Sequence, residues 1–238
     1  MNYFKEMLKL QDNFNYKVSR NIVKNNGTYN GKIVVEEWRD NEFDWVNAIM
    51  LEASEQNDSL AHRWWKAGMD DLDNFKVEVI DNWHFLMSLG LQRYSVTHLQ
   101  ELYETFWLSS MDKDLEDSAD LQVATQFFAY KVLGTKFDNF RGNYSEALFT
   151  LFEIMQELEI LDVKDLYREY LVKNVLNEVR QIKGYKEGTY IKMWTGNDGK
   201  LYEDNVVTYE ISYDMHTLTY DGLKQELIKF YDNMKKGE

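Results

Sequence analysis

The chain has 238 residues, a formal net charge of −14 at pH 7, and neither cysteine nor proline. That charge argues against general binding to a nucleic-acid backbone or an anionic membrane, since both need a positive footprint; a small anionic substrate held by a metal and a local basic cluster stays open. Without cysteine there is no disulfide, thiolate nucleophile, Fe–S cluster or cysteine zinc site.

The apolar share of 44% and charged share of 29% are those of an ordinary globular protein. The start, Met1-Asn2-Tyr3-Phe4-Lys5-Glu6, lacks the layout of a signal peptide. No apolar run approaches membrane-spanning length, so a cytoplasmic protein is the expectation.

In chain order, Phe4, Met7, Leu8 and Phe14 predict a helix over 3–18. Residues 25–32 read as a turn-rich loop. A helix is expected over about 42–66, ended by Gly68 and the acidic stretch Asp70–Asn74. Asp73 or Asn74 then caps a helix over about 75–93. Segments near 96–110, 118–134 and 144–160 carry a period of about 3.6 residues. Asp162 begins a helix that stops at Gly184. The stretch from Gly184 to Asn205 is rich in Gly, Asn and Asp, residues 205–219 alternate in a strand-like way, and an amphipathic helix closes the chain over about 220–235. With no proline to break helices, the expected fold is all-α: one domain over 1–238, a multi-helix bundle with a small irregular or β-like segment near 190–218.

Four acids fall as two i, i+3 pairs, Glu52/Glu55 and Glu78/Asp81. Residues three apart share a helix face, so two such helices packed together surround one point with four carboxylates. The pairs sit among Ile49, Met50, Leu51, Val77, Val79, Ile80 and Trp83, residues that belong inside. Carboxylates gathered in apolar surroundings repel and lose solvation unless a cation neutralises them, and hard oxygen donors select Mg²⁺ or Mn²⁺. Taken singly, such a pair is usually a solvated helix face; it is the two pairs together, in adjacent apolar helices, that bring a metal site level with that reading.

Positive charge is scarce, so its clustering counts. Lys173, Asn177 and Arg180 share a helical face, followed by Gly184-Tyr185-Lys186-Glu187-Gly188. Point charges, fork donors and backbone N–H groups suit a phosphate chain. The other reading is a solvated helix end whose cations offset the helix dipole.

Together these residues resemble the dimeric, all-α dUTPases of the all-α nucleoside-triphosphate pyrophosphatase superfamily. The resemblance is carried by Met7-Leu8-Lys9-Leu10-Gln11-Asp12 with Asn15, by both acidic pairs, by Ile80-Asp81-x-Trp83-His84-Phe85-x-x-Ser88-Leu89, by Lys173-Asn174-Val175-Leu176-Asn177-x-x-Arg180-Gln181-x-x-Gly184-Tyr185-Lys186-x-Gly188-x-Tyr190, and by Glu203-Asp204-Asn205. It implies hydrolysis of dUTP, or dUDP, to dUMP with Mg²⁺ (or Mn²⁺) as cofactor, limiting uracil in DNA, in a homodimer. It further implies Glu52, Glu55, Glu78 and Asp81 as metal ligands, with Glu55 as the base. Lys173, Asn177, Arg180, Tyr185 and Lys186 would hold phosphates. Gln11, Asn15, Trp45 and Asn205 would form the base and sugar pocket.

Three departures stand out. Gln56-Asn57 is polar where the family is expected to be apolar, His62 and Trp64 differ around Trp65-Lys66, and residues 95–160 match no motif. They bear on base selectivity, so a related pyrophosphohydrolase acting on dCTP or a modified nucleotide remains a rival, as does a protein-binding regulator on the same fold. His84 reads as a buried, hydrogen-bonded histidine and not as a catalytic one.

Overall fold

The computed structural model describes residues 2–25, 27–61, 67–110, 118–196 and 198–236. Its contacts divide the chain into two compact units, Met1–Tyr167 and Arg168–Glu238. The expected helical ends near 62–66, with His62 and Trp64, lie outside the described residues.

In the first unit α1 is Tyr3–Lys24, capped by Asn2, whose side chain accepts from Lys5 N. The expected loop at 25–32 contains a small hairpin, β1 Thr28–Tyr29 against β2 Lys32–Ile33. Its turn is Asn30-Gly31 with φ of 50° and 75°, the left-handed pair that a two-residue hairpin needs. After a 3₁₀ turn at Trp38–Asp40 comes α2, Trp45–Asp58, shorter than expected because Asp44 accepts from Asn47 N and so fixes its start. α3 is Leu72–Leu91; its cap is Asp71, two residues before the expected Asp73, because Asp71 accepts from Asn74 N. α4 (Val96–Ser110), α5 (Ser118–Gly134) and α6 (Phe140–Glu157) complete the bundle. α7, Val163–Ile182, starts here and supplies the first helix of the second unit.

The ends of α2 and α3 meet: Asp71 N donates to Ser59 O at 2.8 Å and Asn74 Nδ2 to Ser59 Oγ at 2.7 Å. Trp45 at the start of α2 packs on Phe85, late in α3, with ring centroids 6.1 Å apart. The two helices therefore run antiparallel. The core beside them is aromatic. Phe4, Trp83, Tyr103, Trp107 and Phe152 are buried, with Trp83 and Tyr103 centroids 4.9 Å apart and Trp107 and Phe152 5.1 Å apart. Edge-on and tilted ring pairs such as these gain from the aromatic quadrupole as well as from buried area.

The second unit adds a hairpin, β3 Met193–Thr195 with β4 Leu201–Glu203, and helices α8, Asp204–Asp214, and α9, Tyr220–Lys236. Trp194 is its buried centre, and Tyr190 stacks on Tyr231 at 5.2 Å. The hairpin falls within the expected β-like segment. The strand-like alternation read at 205–219 is corrected by α8. Its buried face is Asp204, Val207, Thr208 and Ser212, a helical spacing hidden from a hydrophobicity reading because three of the four are polar.

Among the described residues no helix is long and apolar enough to cross a membrane.

Candidate active site

α2 and α3 are the most extensively packed pair of helices in the first unit, and they carry the acids. Oxygens of Glu52, Glu55 and Glu78 lie within 4.8 Å of one another. Glu78 is buried, Glu52 and Asp81 are half-buried, and Glu55 is exposed. Burial pushes the Glu52 carboxyl up to about 8, helped by the charges of Asp81 and Glu78, a hydrogen bond with Glu78 and the charge of Glu55. A neutral-pH proton thus sits where the acids crowd, because burial and neighbouring negative charge both disfavour the ionised form. Asp81 lies outside the tight group of three yet is close enough for Glu52 to feel its charge. Carboxylate oxygens gathered at this spacing fit a hard divalent ion.

Gln11 and Asn15, one turn apart on α1, come together with His84 and Ser88, one turn apart on α3. Gln11 Nε2 donates to Asn15 Oδ1 and to Ser88 Oγ, both at 3.0 Å. Asn15 Nδ2 donates to Ser88 Oγ at 3.0 Å, and Ser88 Oγ donates to His84 O at 3.0 Å. The hydroxyl is thereby saturated, with two donors received and one given. Gln11 Oε1 lies 2.8 Å from His84 Nδ1; an amide oxygen only accepts, so this ring nitrogen carries the proton. Both amides are buried, Gln11 at 2% and Asn15 at 4% exposure. Nothing in the sequence paired these amides with Ser88 or His84, although both stand in the run quoted for the resemblance. His84 is the buried, hydrogen-bonded histidine expected.

Trp45 opens α2. Its ring meets Trp38 at 6.0 Å and Phe43 at 5.6 Å, both edge-on, and its Nε1 is buried without a hydrogen-bond partner.

In the second unit, considered by itself, Lys173 is buried and its Nζ donates to Asn205 Oδ1 at 3.1 Å. Arg180 forks onto Asp204, Nε to Oδ2 and Nη2 to Oδ1, each 2.8 Å, and Nη1 donates to Asn177 Oδ1 at 3.1 Å. Tyr190 OH donates to Asp204 Oδ2 at 2.8 Å. Burial opposes the charge on Asp204, but the hydrogen bonds and charge of Arg180, with Tyr190 and Lys173, hold its carboxyl below the usual range. Tyr185 is half exposed beneath Arg180, whose guanidinium lies 5.7 Å from the ring centre. It follows Gly184, whose φ of +88° lets Tyr185 N turn back to Arg180 O at 2.9 Å and end α7. Lys186 is exposed. Lys173, Asn177, Arg180 and Asn205 therefore form one hydrogen-bonded group around Asp204. Asp204 is the member the sequence reading left without a role, and its only signal there was its place in Glu203-Asp204-Asn205.

A model of the dUTPase family matches residues 3–185, a span holding both acidic pairs, the Gln11/Asn15 amides and the Lys173–Tyr185 block. The chain belongs to the all-α dUTPase family. Its activity is that of a dUTP diphosphatase, the hydrolysis of dUTP, and dUTPases in general use a divalent metal. Lys186 and Asn205 lie beyond the matched span. No curated protein gives a match.

Proposed function

We propose that this dUTPase depends on Mg²⁺, with Mn²⁺ as a substitute, and that Glu52, Glu55, Glu78 and Asp81 hold the metal. The observation that carries this is the group of three carboxylates within 4.8 Å whose member Glu52 is pushed up to about 8. A bound divalent ion would supply charge to the phosphate oxygens and lower the pKa of a coordinated water. Glu55, the exposed member, accepts the proton of the attacking water, and the products are dUMP and pyrophosphate. The group of Lys173, Asn177 and Arg180, with Tyr185 and Lys186, binds phosphate oxygens as fork and point-charge donors. Gln11, Asn15 and Trp45 bind the base and sugar from the first unit, and Asn205 stands with the phosphate-binding group of the second; His84 and Ser88 fix which way the amides point, and a fixed amide orientation is what base discrimination requires.

The protein acts in the cytoplasm on free nucleotide and as a homodimer. Support for the dimer comes from α5, where Val123, Phe127 and Tyr130 are exposed at helical spacing on one face, an apolar stripe of the kind found at subunit interfaces.

The test is pyrophosphate release from each dNTP and from dUDP, with Mg²⁺ and after its removal by a chelator. Release from dUTP that survives complete metal removal overturns the metal reading. A profile peaking on dCTP overturns the base assignment.

A further inference from the structure

The polar residue that directly follows each acidic pair has a role that the chemistry above leaves unassigned. Gln56 follows Glu55 on α2, and Asn82 follows Asp81 on α3. Each stands one turn beyond the first acid of its pair, Glu52 or Glu78, and so shares that acid's side of the helix. Gln56, Asn82 and Thr125 of α5 are all 0% exposed. Asn82 Nδ2 donates to Gln56 Oε1 at 2.8 Å, Gln56 Nε2 donates to Thr125 Oγ1 at 2.7 Å, and Thr125 Oγ1 donates to Leu121 O at 2.9 Å. One continuous hydrogen-bonded chain thus crosses three helices in the buried interior.

Helix side chains lean toward the N-terminus of their helix. On this antiparallel pair Gln56 leans back toward the turn of Glu52 and Asn82 toward the turn of Glu78, so their bond lies along the stretch that bears the acids. A divalent ion needs its carboxylate oxygens at one set separation. An amide–amide bond between the same two helices fixes their spacing and rotation beside the acids, and it is directional where leucine packing is not. Packing alone does not account for the pair: Asn82 Oδ1 is buried without a hydrogen-bond partner, a cost an apolar residue of similar size would avoid.

We infer that Gln56, Asn82 and Thr125 are positioning residues, a buried hydrogen-bonded chain that holds the Glu52/Glu55 and Glu78/Asp81 pairs at metal-binding separation. This rests on the metal reading under Proposed function. It also gives a role to the polar Gln56 that departs from the family's expected pattern.

The experiment is calorimetric titration of the full-length, nucleotide-free protein with Mn²⁺, alongside its melting temperature. Gln56→Leu and Asn82→Leu should each raise the Mn²⁺ Kd about tenfold or more while the metal-free melting temperature holds or rises. The exchange Gln56→Asn with Asn82→Gln keeps an amide pair and should recover most of the affinity. A Kd within about twofold of wild type in folded leucine variants overturns the inference. So does an exchanged protein as weak as they are, since the loss then reflects packing damage. If the leucine variants do not fold, Thr125→Val carries the test: it removes only the hydroxyl that fixes Gln56, and an unchanged Kd again overturns the inference. Absence of Mn²⁺ binding by the wild-type protein is a distinct result, and it overturns the metal reading together with this one.

Discussion

Glu52 on α2 and Glu78 on α3 share a hydrogen bond between two acidic side chains, with Glu52 pushed up to about 8 by burial first and by Asp81, Glu78 and Glu55 after it. Two antiparallel helices thus bring acids together at a cost that the proton on Glu52 relieves. The acids lie on the two helices of the first unit that pack most extensively, with the buried amides of Gln56 and Asn82 next to them in sequence and bonded to each other.

The first prediction concerns pH and stability. The Glu52 carboxyl lies near 4.5 in its ordinary state and is raised to about 8 in the fold. The folded state therefore holds a proton that the unfolded state releases across that interval. Stability of the metal-free protein is greatest from this group below pH 4.5 and declines as pH rises toward 8. Melting temperatures taken from pH 5 to 8 should show that decline, Mg²⁺ should reduce it, and Glu52→Gln should flatten it. A metal-free protein that gains stability over this range, with no change in slope on Glu52→Gln, contradicts the assignment.

The second concerns the acids as ligands. Glu52→Gln, Glu55→Gln, Glu78→Gln and Asp81→Asn should each lower kcat by about a hundredfold or more with the helical content unchanged by circular dichroism. Glu55→Gln should differ from the rest. If Glu55 both binds metal and takes the proton, its kcat stays low at saturating Mg²⁺, while the loss in the other three recovers partly as Mg²⁺ is raised. Near-normal turnover in all four removes the site.

The third concerns Arg180 and Asp204. Asp204 is fully buried and held ionised by a forked Arg180 and by Tyr190. Asp204→Ala leaves the Arg180 guanidinium without its buried counter-charge and should destabilise the protein by about 3–5 kcal/mol. The carboxyl of Asp204 is depressed in the fold, so its contribution is present above the ordinary carboxylate range and is lost as pH falls below it. Denaturant titration at pH 7 and at pH 3 should therefore show a wide gap between wild type and Asp204→Ala at pH 7 and a narrower one at pH 3. Lys173→Ala, by contrast, should raise KM for any triphosphate whatever its base.

The helices were legible because their apolar faces repeat at 3.6 residues and proline is absent. α8 was not, because three of the four residues on its buried face, Asp204, Thr208 and Ser212, are polar, while Val207, Tyr209 and Ile211 alternate as a strand does. The two acidic pairs were legible for a related reason: charge among Ile49, Val79 and Ile80 contradicts the local pattern, and such contradictions mark sites. The polar partners were not. Ser88, Thr125 and Asn82 look like ordinary small residues in helices, and only the fold shows that they join Gln11, Asn15 and Gln56 into buried networks. Gln56 was visible as a departure, yet its meaning lies in a residue 26 positions away.

The last prediction concerns the base. Gln11 and Asn15 both donate to Ser88 Oγ, and His84 Nδ1 fixes the Gln11 oxygen. Both hydrogens of Gln11 Nε2 are given to Asn15 and Ser88, so the fixed pair offers a base one defined pattern: an acceptor at the Gln11 oxygen and a donor at the second N–H of Asn15. Uracil and cytosine present opposite patterns at the position where one carries an oxygen and the other an amino group. The wrong base leaves buried polar groups unpaired, and discrimination of about a thousandfold or more follows. Wild-type kcat/KM should therefore favour dUTP over dCTP by that order. Gln11→Ala should narrow the ratio while leaving Mn²⁺ affinity unchanged. Ser88→Ala is the sharper probe, because Ser88 would contact no base: it removes the shared acceptor of both amides and the donor to His84 O. It should narrow the dUTP/dCTP ratio and cost about 1–3 kcal/mol of stability from the donors left unsatisfied. The measurements are kcat/KM on both nucleotides and a denaturation curve for each variant. A Ser88→Ala enzyme that loses stability but keeps full discrimination shows that the network only holds α1 against α3, and the base pocket must then be sought among other residues.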